Sequence, residues 1–190
     1  MNRPEVSIDN PWTTHTTEVG YENPWIRIDH HTVTTPGGND GIYGVVHFKN
    51  AAVGVLPIDE DDHTWLVGQY RYPLDEYSWE MPEGGCPTDE DPEVAARREL
   101  REETGLIAGT LRPLLAGIRL SNSVTNETAF AYVATDLQRT EAEPEDTEDL
   151  TLWRLPVDDV IDMTLRGEIN DSFTVMAVLR LHAERNGSVS

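Results

Sequence analysis

The segment Gly84-Gly85-Cys86-Pro87-Thr88-Asp89-Glu90-Asp91-Pro92-Glu93-Val94-Ala95-Ala96-Arg97-Arg98-Glu99-Leu100-Arg101-Glu102-Glu103-Thr104-Gly105-Leu106 contains one helix with its punctuation complete. Asp91 stands where a capping carboxylate is wanted, Pro92 suits the first helical turn, and Gly105 suits a left-handed C-terminal residue, so a helix is expected from about Pro92 to Thr104. At 100° per residue, Glu99, Glu102 and Glu103 span about 100° of its circumference and share one stripe. Ala96, Leu100 and Thr104 form the stripe expected to pack inward. Like charges this close either raise a pKa or call for a cation, and hard carboxylate oxygens select Mg2+ or Mn2+ over zinc. A pairing of Glu90 with Arg98 would bring the loop after Gly84 back onto the helix. The bland alternative is a solvated, Glu-rich helix laced with i to i+4 pairs.

Upstream of this segment the chain is β-like. Residues 1 to 23 show no sustained periodicity and are expected to form a loosely structured arm. Trp25 to Val33 alternates, a turn follows at Thr35 to Gly41, and a second arm runs from Ile42 to Phe48, giving a hairpin. Strands are expected at Ala51 to Ile58 and Thr64 to Tyr70. Downstream comes the segment Leu111 to Leu120, then expected strands at Ala129 to Ala134 and Leu150 to Leu155, with an acidic loop from Glu141 to Asp149 before the last. Helices at about Val157 to Leu165 and Ser172 to Glu184 close the chain.

The whole is 190 residues with 14 basic and 35 acidic side chains, a formal charge of −21. That length makes one compact domain, with or without a small appendage, and buries a sizeable core. The basic residues are arginines apart from the single Lys49, so no polycationic stripe exists to coat a nucleic acid. No apolar run is long enough to span a bilayer as a helix, and no apolar leader is visible, so neither a membrane nor a nucleic acid is an expected partner and a cytoplasmic protein is the expectation. The lone Cys86 forms no internal disulfide, in keeping with a reducing compartment. Two readings of the acidity stand: adaptation to high salt, where counterions screen self-repulsion, or a cationic partner; the even spread of charge favours the first.

The spacing overturns the bland reading of the helix. The segment reads Gly, five residues, Glu, seven residues, Arg-Glu-Leu, one residue, Glu-Glu, one residue, Gly-Leu. Chance would produce that pattern in roughly one of 10⁵ chains or fewer. It is the complete signature of the Nudix hydrolases, and the chain is identified as resembling that family. Val67-Gly68-Gln69-Tyr70-Arg71-Tyr72-Pro73, Trp79-Glu80-Met81-Pro82-Glu83-Gly84 and the Gly167-Glu168-Ile169 turn resemble its ADP-ribose pyrophosphatase branch, with roughly residues 40 to 185 covered. The resemblance implies an α/β class fold, an α/β/α sandwich around a mixed sheet, with a β-rich N-terminal portion. It further implies a division into residues 1 to 40, an arm and hairpin serving homodimerisation, and residues 41 to 190, the hydrolase domain.

The same resemblance implies Mg2+-dependent hydrolysis (Mn2+ being the other candidate) of the pyrophosphate bond of a nucleoside diphosphate sugar, with ADP-ribose giving AMP and ribose 5-phosphate. Glu99 and Glu103 would bind the principal metals, Glu102 would support them, and the backbone carbonyl of Glu83 would add an oxygen. Arg98 and Glu90 would orient these ligands. In the acidic loop, Glu148 is assigned as a further ligand and Asp146, or else Glu145, as candidate base; a solvated acidic turn is the competing reading. Candidate substrate contacts are Arg71, Trp79, Glu80 and Glu127. Arg71 suits a phosphate or a base, or else forms a surface salt bridge, and Trp79 stacks on adenine or is simply core. Many members of the branch carry a Ser-Pro-Gly-like turn where this chain has Leu120-Ser121-Asn122-Ser123-Val124-Thr125-Asn126-Glu127. That departure leaves other nucleotide sugars or nucleotide derivatives open as substrates. A silent nucleotide-binding module of the same family would show broken carboxylates, and here all are intact.

Overall fold

The computed structural model describes residue 4, residues 6–142 and residues 149–187. Its elements, in chain order, are β1 (Thr13–Glu22), β2 (Ile26–Thr34), β3 (Asp40–Phe48), β4 (Ala51–Pro57), β5 (His63–Arg71), β6 (Glu76–Glu80), β7 (Glu83–Cys86), α1 (Pro92–Thr104), β8 (Leu106–Arg119), β9 (Thr128–Arg139), β10 (Thr151–Pro156), α2 (Val157–Arg166) and α3 (Ser172–Arg185). The expected helices and the strands from Trp25 onward are found, with ends shifted by a few residues. The arm is corrected: Thr13–Glu22 is a strand paired antiparallel with β2, Thr14 opposite Val33 and Val19 opposite Asp29. Its threonines favour extended backbone, but every side chain in it is exposed, so it carries no alternation to be read from the sequence. The short strands β6 and β7 are also additions, held by pairing with β5 and β4.

The chain divides into two compact units, Met1–Lys49 with Ser121–Asn126, and Asn50–Leu120 with Glu127–Ser190. The first unit is a three-stranded sheet in the order β1-β2-β3. The expected boundary after residue 40 falls at the start of β3, whose pairing with β2 from Asp40 to Phe48 keeps that strand in the first unit.

In the second unit, β7-β4-β9-β8 form a mixed sheet, β4 and β9 running parallel and the outer pairs antiparallel; β10-β5-β6 form a second, antiparallel sheet. Period-two alternation along β4 and β9 creates two cores. Leu56, Ala129, Ala131 and Val133 pack with α2 and α3 residues such as Val160, Phe173 and Val178. Val53, Val55, Tyr132 and Ala134 pack with Ala95, Ala96 and Leu100 of α1. The mixed sheet is thus covered by α1 on one face and by α2 and α3 on the other, an α/β/α arrangement that puts α1 against β7 and β4.

The caps of α1 are those its sequence calls for. The Asp91 carboxylate accepts the Glu93 N–H at 2.8 Å, Pro92 opens the first turn, and Gly105 at φ +66° donates its N–H to Arg101 O at 2.9 Å. A Cβ at Gly105 would sit 2.6 Å from Thr140 O, so both conformation and space require glycine.

Candidate active site

The site is built where the start of β7 meets the carboxylate stripe of α1. The Glu83 N–H donates to Glu103 Oε2 at 2.9 Å. The Glu99 carboxylate fills the space beside Gly84: a Cβ there would lie 2.2 Å from Glu99 Cδ. Both carboxylates therefore lie against the two-residue stretch Glu83-Gly84, Glu103 being 3% exposed. Leu100, one residue on and fully buried, anchors the helix so that the stripe faces the strand.

Arg98 ties the loop to the helix. It donates to Glu90 Oε2 at 3.1 Å, Gly85 O at 2.8 Å, Glu99 Oε1 at 2.7 Å and Glu102 Oε2 at 3.1 Å. Burial alone would lower its pKa, but hydrogen bonds to Glu90 and Glu99 outweigh this and hold the guanidinium charged. The expected pairing of Glu90 with Arg98 is present, and the same arginine fixes two of the three stripe carboxylates.

On the other flank, Arg71 Nε donates to Glu80 Oε1 at 2.8 Å and Arg71 Nη2 to Glu83 Oε1 at 3.3 Å. The bond to Glu80 is the main reason that Arg71 is held protonated. Glu80 is 2% exposed while the Arg71 side chain is 36% exposed, so the pair joins a buried acid to a half-buried cation. Sequence reasoning named both residues without pairing them, because the contact depends on the β5–β6 hairpin, which places Arg71 opposite Glu76 and Val67 opposite Glu80.

Glu83 contributes more than its backbone. Its Oε2 is buried and makes no hydrogen bond among the described residues. Burial first, then the charges of Asp171 and Glu80, push its carboxyl well above the usual range. The Glu83 backbone meets Glu103 and the adjoining Gly84 meets Glu99, and the donors gathered there are all oxygens, the type of donor set that suits a divalent metal. Among the described residues no three acidic, His or Cys side chains are grouped closely enough to hold a metal ion, and Glu99 and Glu102 are each paired with Arg98.

Trp79 lies on the opposite face of β6 from Ser78 and Glu80. It packs edge-on against Tyr77 and Trp153, at ring centroid distances of 5.5 and 5.1 Å, and against the core under α2 and α3. Glu127, just before β9, is half-buried, and burial raises its pKa. Glu145, Asp146 and Glu148 lie outside the described residues.

A NUDIX domain model matches residues 48–175. The chain belongs to the Nudix family. A model described as the nucleoside diphosphate sugar hydrolase N-terminal domain matches residues 12–46, ahead of the Nudix domain. An ADP-ribose pyrophosphatase of Mycobacterium tuberculosis is 35% identical over 160 residues, covering 82% of this chain and 75% of the relative. A methanol dehydrogenase activator of Bacillus methanolicus is 31% identical over 170 residues, covering 88% and 91%. A crystal structure of an ADP compounds hydrolase superposes with a TM-score of 0.84 at 23% identity, covering 97% of this chain and 98% of that one, which shows the shared fold. Nudix hydrolases generally use a divalent metal, in keeping with the carboxylates along α1. Among the described residues no helix is long and apolar enough to cross a membrane.

Proposed function

We propose that this Nudix hydrolase cleaves the pyrophosphate bond of a nucleoside diphosphate sugar, with ADP-ribose as the substrate and AMP and ribose 5-phosphate as products. The observation that carries the reading is the gathering of Glu99 and Glu103 against the two-residue stretch Glu83-Gly84, with Arg71 bound to the Glu83 side chain. Similarity to the mycobacterial ADP-ribose pyrophosphatase over most of both chains supports the choice of substrate.

Glu99, Glu103 and Glu83 would hold the metal, Mg2+ or Mn2+, with Glu102 in support. When bound, such a cation neutralises diphosphate charge and acidifies water. Arg98 keeps Glu99 and Glu102 oriented through the bonds described above. Arg71 offers a fixed positive charge to a phosphate oxygen, and its bond to Glu80 pre-sets its direction. From the acidic segment, Asp146 is assigned as the base that takes the proton from the attacking water, and Glu148 as a further ligand.

We further propose that the protein works as a cytoplasmic homodimer through its N-terminal sheet. Exposed Val19, Tyr21, Ile42 and Phe48 on β1 and β3 support the pairing, and the single buried Cys86 suits a reducing compartment.

The test is phosphate-ester product analysis on ADP-ribose against GDP-mannose, with Mg2+ and with chelator. The expected result is AMP from ADP-ribose, abolished by chelation, and a Glu99→Gln variant slowed on the order of 10³-fold with an unchanged melting temperature. Near-normal turnover of that variant with unaltered Mg2+ dependence overturns the ligand assignment.

A further inference from the structure

A cavity of about 460 Å³ opens beside Glu83, walled by Arg71, Glu76, Ser78, Glu80, Asn170 and Ser172 among others. It lies within the size range of small-molecule sites. One wall is the polar face of the β5–β6 hairpin, and the other is the turn that leads into α3.

Ser78 is the telling residue. It is 4% exposed, and period-two alternation sets it between Glu76 and Glu80 on the face that lines the cavity. Most hydroxyls buried to this degree have a hydrogen-bond partner, in the protein or in ordered water, yet among the described residues none bonds the Ser78 side chain. Its donor and its acceptor capacity are both left for something in the cavity. Asn170 adds an amide at the rim, where it makes a long 3.5 Å donation to Glu76 Oε1, and Ser172 adds a second hydroxyl. Asp171 is already engaged, capping α3 by accepting the Thr174 N–H at 2.7 Å.

The chemistry of the walls selects the occupant. Glu76, Glu80, Glu83 and Asp171 make the interior unfavourable for a further anion, and the neutral polar groups left facing it are hydroxyls and an amide, with Pro73 and Leu74 adding apolar wall. A neutral polyol matches both conditions. The one strong cation, Arg71, is at the edge next to Glu83, where a diphosphate would end.

We propose that this cavity is the subsite for the hydroxyl-bearing group joined to the diphosphate, and that Ser78, assisted by Asn170 and Ser172, reads its hydroxyls. The proposal rests on the reading that the protein cleaves a nucleoside diphosphate sugar, and it makes Ser78 a specificity residue for the sugar half.

The experiment compares wild-type, Ser78→Ala and Asn170→Ala proteins on ADP-ribose and on ADP ethyl ester, a diphosphate ester with no hydroxyls beyond the diphosphate. Calorimetric binding of ADP-ribose to metal-free protein is measured alongside. Loss of a buried hydroxyl contact is expected to lower kcat/KM for ADP-ribose about tenfold, mostly through KM, and to raise Kd about tenfold. The ethyl ester should be unaffected to within about twofold. Asn170→Ala, a change at an exposed rim position, should shift the same ratio in the same direction. Equal losses on both substrates, or unchanged cleavage and binding of ADP-ribose, overturn the subsite while leaving the activity standing. Wild-type protein that neither cleaves nor binds ADP-ribose overturns the activity and the subsite with it.

Discussion

Replacing Gly84 by alanine isolates the geometry of the carboxylate stripe from the stability of the fold. The added Cβ would lie 2.2 Å from Glu99 Cδ and 2.4 and 2.5 Å from its two oxygens. Ordinary contact begins at 3.4 Å, so the carboxyl carbon must withdraw by at least 3.4 − 2.2 = 1.2 Å. The backbone at Gly84 is outside the left-handed region, so alanine brings no conformational strain there. Only the free end of a flexible side chain has to move, and the fold tolerates that, whereas metal ligands hold their distances to about 0.2 Å. A misplacement of this size should cost on the order of 10²-fold in kcat and raise the Mg2+ concentration needed for half-maximal rate. The melting temperature should fall by no more than about 4 °C, the equivalent of about 1 kcal/mol for a chain of this size. Gly85→Ala is the control, because its Cβ would meet the Asn50 amide at 2.9 Å and no carboxylate. Steady-state hydrolysis of ADP-ribose over a Mg2+ titration, with thermal melts of both variants, makes the measurement. Wild-type kcat and an unchanged Mg2+ requirement in Gly84→Ala would refute the placement of Glu99 at the metal.

Two further outcomes follow from buried polar contacts. Thr174 is fully buried and its Oγ1 accepts the Met81 N–H at 3.0 Å, tying the chain just after β6 to α3; Thr174→Val keeps the shape, orphans that N–H, and should cost about 2 kcal/mol, or about 4–8 °C in Tm by calorimetry. Asp59 Oδ1 accepts the Asp61 and His63 N–H groups at 3.0 Å each, and Oδ2 accepts Arg154 Nε at 2.8 Å. Burial works to raise the Asp59 pKa, but the His63 N–H and Arg154 outweigh it and hold the carboxyl below its ordinary value. A depressed folded pKa gives stability that is complete above the unfolded value of about 3.9 and is lost as pH falls through the folded one. Asp59→Ala should therefore melt below wild type at pH 7, by about 1–3 kcal/mol of stability, and the gap should close below about pH 4; melts across that range in which the gap stays constant would count against the ionised contact.

The helix and its carboxylate stripe were legible because their signals are local. Asp91, Pro92 and Gly105 fix the ends of α1 through backbone chemistry within a few residues, and the 3.6-residue period alone places Glu99, Glu102 and Glu103 on one stripe flanked by Leu100. The strands of the two cores were legible for the same reason, since alternation along β9 survives in the sequence as small and large apolar residues in turn. β1 was not, because all its side chains are exposed and pairing alone makes it a strand.

What needed the tertiary structure is every contact whose partners are far apart in the chain. The burial of Glu80 with Arg71 depends on hairpin register, the meeting of Glu83 with Glu103 crosses 20 residues, and the cavity beside Ser78 depends on α3 arriving from more than 90 residues downstream. The sequence by itself determined the stripe of carboxylates and the helix that presents them, because helix geometry is set by short-range hydrogen bonds. Only the packing of β6, β7 and α3 around that helix decided which carboxylates are buried, which oxygen is left without a donor, and where a substrate has room, because burial is a property of neighbours brought together by the fold.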